Sequence, residues 1–136
     1  GIFTNKNIYD LLLELKDIVA SNDNKLYAII PDIAGYWPSA NQENYLSADW
    51  IQKREVPTKK YLEQIKSDIF NLTDNSGVII LQKYKLDCFF SCMCEQNPNL
   101  PIYTFIKDNF QKIKETKFYW IYKKKEMLPI STQNIK

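Results

Sequence analysis

Hydrophobic residues recur at three- and four-residue intervals between Asn7 and Ala20, where Ile8, Leu11, Leu12, Leu15, Ile18 and Val19 fall on one stripe. That is the period of an α-helix with a single buried face. Asn7 is placed to cap this helix, and Asp10 stands near its positive end. Ser21-Asn22-Asp23-Asn24 is a polar stop. Leu26 to Ile30 then reads as a short strand, ended by Pro31 because proline cannot donate to a ladder. A second helical period runs from Lys59 to Asn71 behind an N-cap at Thr58, with Tyr61, Leu62, Ile65, Ile69 and Phe70 on its apolar face.

Asp74-Asn75-Ser76-Gly77 is turn chemistry, and Gly77 to Lys85, built around Val78-Ile79-Ile80-Leu81, is a strand. Leu86 to Glu95 fits either a short helix capped by Asp87 or a continued strand. After the break bounded by Pro98 and Pro101, Ile102 to Lys114 carries Tyr103, Ile106, Phe110 and Ile113 at helical spacing. Lys117 to Lys123 alternates Phe118, Trp120 and Tyr122 with Tyr119 and Ile121, the period of a strand. The polar stretch 126–136 reads as a frayed tail.

Strands separated by helices predict an α+β (or small α/β) fold. It has a single layer of about three to four strands, at least partly parallel, packed by about three helices. No repeat or linker divides residues 1–136, so one domain is expected. The exception to this regularity is Pro31 to Pro57, which holds no sustained period. Loops beyond about 15 residues in a compact domain usually carry structure of their own or a task; Tyr45 to Lys53 fits a short helix or strand.

Composition narrows the function classes. Hydrophobic content of 45% and charged content of 25% exclude an intrinsically disordered body. No apolar run approaches the roughly 18 residues of a membrane span, and GIFTNKNIYD lacks the basic-then-apolar pattern of a secretory leader. The three cysteines, Cys88, Cys92 and Cys94, cluster within one short stretch among Phe89, Phe90 and Met93. They suit buried small hydrophobes better than a disulfide framework or a four-ligand metal site. A reducing, cytoplasmic setting and no cofactor or metal are therefore expected. The chain has no histidine, which removes Ser-His-Asp and Cys-His nucleophile systems and histidine general bases. Gly-rich phosphate loops are also missing, and the expectation is a protein that is not an enzyme.

The irregular stretch holds the candidate chemistry. Between Pro31 and Trp50 stand Tyr36, Trp37, Tyr45 and Trp50 among Asp32, Glu43 and Asp49, with no Lys or Arg. Tyr and Trp dominate interface hot spots, and unopposed carboxylates attract and orient a basic partner. Asp32, Tyr36, Trp37, Glu43, Tyr45, Asp49 and Trp50 are accordingly the candidate partner-binding residues. The expected function is a small binding domain that inhibits one basic protein. An immunity or antitoxin-type bacterial protein is the concrete form, with a nuclease toxin as the partner whose phosphate and base sites these side chains would mimic.

The alternative lies in the other half of the charge distribution. Residues 1–57 hold five basic and eight acidic residues, whereas residues 58–136 hold thirteen and eight. Lys107, Lys112, Lys114, Lys117, Lys123, Lys124 and Lys125 interleave with Tyr119, Trp120 and Tyr122, a pattern suited to nucleic acid with stacked bases. A solvated helix face and a lysine-protected edge strand account for the same lysines. The third reading, a hydrolase, would pair Asp32, Glu43, Asp49 or Glu55 beside the aromatic rings.

Overall fold

The computed structural model describes residues 6–22, 25–31, 40, 42–47, 59–84, 95 and 99–126. In chain order these form α1 (Lys6–Ala20), β1 (Tyr27–Ile30), α2 (Lys59–Asp74), β2 (Val78–Gln82), α3 (Pro101–Asn109), β3 (Phe110–Glu115) and β4 (Tyr119–Lys124). The four strands make one mixed sheet in the order β1-β2-β4-β3. β1 and β2 are parallel, with Tyr27 opposite Val78 and Ile30 opposite Leu81, as a strand–helix–strand crossover through α2 requires. β4 runs antiparallel to both β2 and β3. Among the described residues the fold is α+β, a single partly parallel sheet packed by three helices, as the sequence pattern predicts.

Residue parity along the strands assigns the two faces. Ala28, Ile30, Ile79, Leu81 and Tyr122 pack with Ile65, Ile69 and Leu72 of α2 and Ile102, Tyr103 and Ile106 of α3. Their alternates Tyr27, Ile29, Val78, Ile80, Tyr119 and Ile121 pack with Leu11, Leu15 and Ile18 of α1. The sheet is thus covered on both faces, and β1 and β2 bury every side chain they carry. Each fully buried Leu or Ile contributes about 1.5–3 kcal/mol relative to exposure. Polar ties reinforce the layers. The Tyr119 hydroxyl donates to the Leu11 carbonyl at 2.9 Å, Glu14 Oε1 accepts from the Phe118 N–H at 3.0 Å, and the Tyr103 hydroxyl donates to the Gln82 carbonyl at 2.6 Å.

Local structure departs from the sequence reading at several places. α1 begins at Lys6, so Asn7 stands inside the helix instead of capping it. Tyr61 and Phe70 sit at the margins of the buried α2 stripe and stay exposed; Phe70 leans edge-on against Phe105, with ring centroids 5.4 Å apart. The helix expected over Ile102–Lys114 ends at Asn109, and Phe110 turns to extended backbone (φ −127°, ψ 161°). Pairing decides this. Phe110 to Glu115 line up along β4, from Phe110 opposite Lys124 to Glu115 opposite Trp120, and tertiary pairing outweighs local helical preference. The register slips between Lys112 and Lys114, so Ile113 occupies a bulge and remains exposed. The Thr58 cap, the ambiguous segment 86–94, the three cysteines and the tail 127–136 lie outside the described residues. No helix among the described residues is long and apolar enough to cross a membrane.

Candidate functional site

Of the seven candidate contact residues, Glu43 and Tyr45 are described; Asp32, Tyr36, Trp37, Asp49 and Trp50 lie outside the described residues. Glu43 is exposed and Tyr45 is half-buried. Tyr45 packs against the α2–α3 side of the core, next to buried Leu46. One aromatic of the four therefore contributes to sealing the core.

The segment 42–47 is fastened at both ends. Gln42 Nε2 donates to the Tyr27 carbonyl of β1 at 2.8 Å. The hydrogen bond from Val78 N–H to the Leu26 carbonyl makes residues 26, 28 and 30 face β2, so the Tyr27 carbonyl points to the opposite edge. At the other end Asp68 of α2 accepts from both the Ser47 N–H (2.8 Å) and the Ser47 hydroxyl (2.5 Å), and Gln64 Nε2 braces its second oxygen at 3.0 Å. Between these anchors the Asn44 side chain accepts the Leu46 N–H at 3.1 Å, a local turn that the Asn side chain favours. Glu43 is therefore presented on backbone held to β1, α2 and the core. Gln42, Ser47 and Asp68 are the positioning residues that the sequence reading missed. Asp68 looks like any polar position of an amphipathic helix, and nothing in its spacing links it to residue 47.

The basic C-terminal surface is built differently from its expectation. Tyr119 and Tyr122 are buried on opposite faces of β4, which removes both as platforms for stacking. Trp120 is half-buried, and the ammonium groups of Lys83 and Lys107 lie 5.4 and 5.0 Å from its ring centroid. Its indole N–H donates to Glu115 on the neighbouring strand. Lys83 Nζ lies 3.4 Å from the same carboxylate and Lys112 Nζ 4.0 Å. The indole hydrogen bond, followed by the charge of Lys83, holds the Glu115 carboxyl below its ordinary value. Burial, with the nearby Glu115 charge, raises the Tyr122 hydroxyl above its own. These residues form a brace across β3 and β4 in which three ammonium groups are set against one carboxylate, so it keeps a net positive charge.

Among the described residues, no group of three or more Cys, Asp or Glu side chains is arranged to hold a metal ion. Comparison with known protein families, curated proteins and solved structures gives no match.

Proposed function

We propose that the chain is a protein-binding domain that engages and blocks one basic protein partner through the acidic–aromatic segment 31–50. The observation that carries this reading is the anchoring of residues 42–47, which holds exposed Glu43 on a fixed backbone between β1 and Asp68 of α2. A preformed presentation lowers the ordering cost of association, so more of the contact energy appears as affinity. Asp32, Tyr36, Trp37, Asp49 and Trp50 would complete the surface, with the rings as anchors and the carboxylates as orienting charges. An immunity or antitoxin-type role is the concrete form. Against a nuclease, the carboxylates would stand where phosphates bind and the rings where bases bind.

The test is capture of a partner from native lysate on the tagged protein, washed at high salt, followed by affinity measurement for Trp37→Ala, Asp49→Lys and Glu43→Lys. Each substitution is expected to weaken binding about tenfold or more, or about 1.4 kcal/mol, with the thermal melt unchanged. Full affinity in all three variants would overturn the proposal.

A further inference from the structure

From Lys107 to Glu126, seven lysines stand against three carboxylates, a net +4 in a chain whose total is +2. Folding gathers this surplus around the β3 edge, with Lys107 over Trp120 on the α2–α3 face and Lys114, opposite Ile121, and Lys117, over Phe118, on the α1 face. β3 ends the sheet order, and Gln111 to Glu115 are all exposed. Part of the charge is cancelled: Lys112 lies near Glu115, Lys123 pairs with Glu126 at 2.8 Å, and Lys124 pairs with Asp74 at 2.7 Å. Lys107, Lys114, Lys117 and Lys125 form no ion pair with a described carboxylate. Lys125 donates to the Asp108 carbonyl at 2.8 Å, which satisfies a hydrogen bond and leaves the charge in place.

Edge protection does not account for all of these. Lysines and a bulge on a terminal strand prevent unwanted strand pairing, and Lys112, Lys114 and the bulge at Ile113 already meet that need. Lys107 is on α3, Lys117 is in the turn before β4, and Lys125 lies beyond β4, so none of the three belongs to the edge strand. Two of them are also held in place by rings: Lys107 over Trp120 at 5.0 Å and Lys117 over Phe118 at 5.1 Å.

We infer that this edge, with lysines on both of its faces, binds the phosphate backbone of a nucleic-acid duplex, independently of sequence. Single strands gain affinity by stacking bases on open aromatic faces. Here Tyr119 and Tyr122 are buried and the Trp120 ring carries two ammonium groups. Contacts limited to phosphates gain most from the ligand of highest charge density, and a duplex carries one charge per about 1.7 Å of axis. Phosphate contacts position a protein without reading bases. This activity rests on β3, β4 and α3 and not on residues 31–50, so it can fail while the inhibitor reading stands, and the reverse.

The experiment is fluorescence anisotropy with a labelled DNA duplex of about 20 base pairs, an RNA duplex of equal length and one isolated DNA strand, titrated between about 50 and 200 mM salt. Both duplexes should bind more tightly than the single strand, and log K should fall with log salt at a slope of roughly −3, the value for three to four phosphates. The triple variant Lys107→Gln, Lys114→Gln, Lys117→Gln should flatten that slope by about 0.9 per lysine and weaken binding about tenfold or more at the lowest salt. Lys16→Gln, Lys59→Gln, Lys60→Gln, an equal charge change at exposed positions of α1 and α2, should leave affinity unchanged. Circular dichroism melts establish that both variants fold. Three outcomes would overturn the inference: no duplex binding at about 50 mM salt, equal loss in the two triple variants, or a single strand bound as tightly as the duplex.

Discussion

Gly77→Ala sets two effects of known size against each other. α2 closes in a Schellman arrangement: the Gly77 N–H donates to the Leu72 carbonyl at 2.9 Å and the Ser76 N–H to the Thr73 carbonyl at 3.1 Å. The left-handed residue of this motif is Ser76, with φ 65°, while Gly77 has no positive φ. Space, and not backbone freedom, keeps a side chain out of position 77. A Cβ there would lie 2.6 Å from Leu72 Cδ1 and 2.7 Å from both Leu72 Cγ and the Leu72 carbonyl oxygen. Leu72 is fully buried against the sheet, so its side chain has little room to withdraw.

Replacing a glycine with alanine at a compatible φ stabilises by about 0.4–1 kcal/mol through the unfolded chain. Overpacking costs about 1–3 kcal/mol, and three contacts this short, one of them with backbone, place the cost in the upper half of that range. Sterics should win by about 1–2 kcal/mol. At an unfolding entropy of about 2.1 cal/mol/K per residue, a chain of 136 residues loses roughly 3.5 °C per kcal/mol, so Tm should fall by about 4–7 °C. Thermal melts by circular dichroism, with a urea titration at unchanged m, measure this. Leu72→Ala costs about 2–5 kcal/mol alone; because it removes two of the three clashing atoms, the second substitution should cost about half as much or less in its background. A Tm for Gly77→Ala equal to or above that of the parent, or strict additivity in the double variant, would refute the reasoning.

Two further outcomes are expected. Ser76→Gly relieves a non-glycine residue in the left-handed region and should stabilise by about 1 kcal/mol, a rise of roughly 3 °C on the same melt; a fall in Tm would show that the serine side chain contributes more than its backbone costs. Glu115, whose folded pKa lies below its ordinary 4.5, adds stability that is present above 4.5 and lost as pH drops through the folded value. Glu115→Gln should therefore reduce stability at neutral pH and flatten the acid limb, and urea midpoints taken between about pH 6 and 2 that run parallel in the two proteins would exclude this role.

What the sequence carried, and what it did not, follows from how many partners each residue needs. α1 and α2 were legible because their apolar residues repeat at the helical period, and β1 and β2 because each is a short unbroken apolar run bounded by turn or proline residues. Gln111 to Glu115 are Gln, Lys, Ile, Lys and Glu, good or tolerable helix formers that follow a genuine helix without a break. Only pairing with β4, which comes later in the chain, makes them a strand. A longer separation in sequence hid Asp68, which supports residue 47 from twenty-one positions away.

The misreading of Tyr119 and Tyr122 has a different cause. Alternation along a strand separates its two faces, and it marks one as wet only when the other alone is covered. Here α1 covers one face and α2 with α3 the other, so both parities of β1 and β2 are buried, as are Tyr119, Ile121 and Tyr122 of β4. β3 lies at the end of the sheet beyond that cover, and five of its six residues are exposed. A lysine on this strand keeps its charge in water, whereas the tyrosines one strand inward are consumed by the core. Exposure on this sheet is decided by strand position more than by residue parity, and strand order is the property that single-sequence periodicity does not encode.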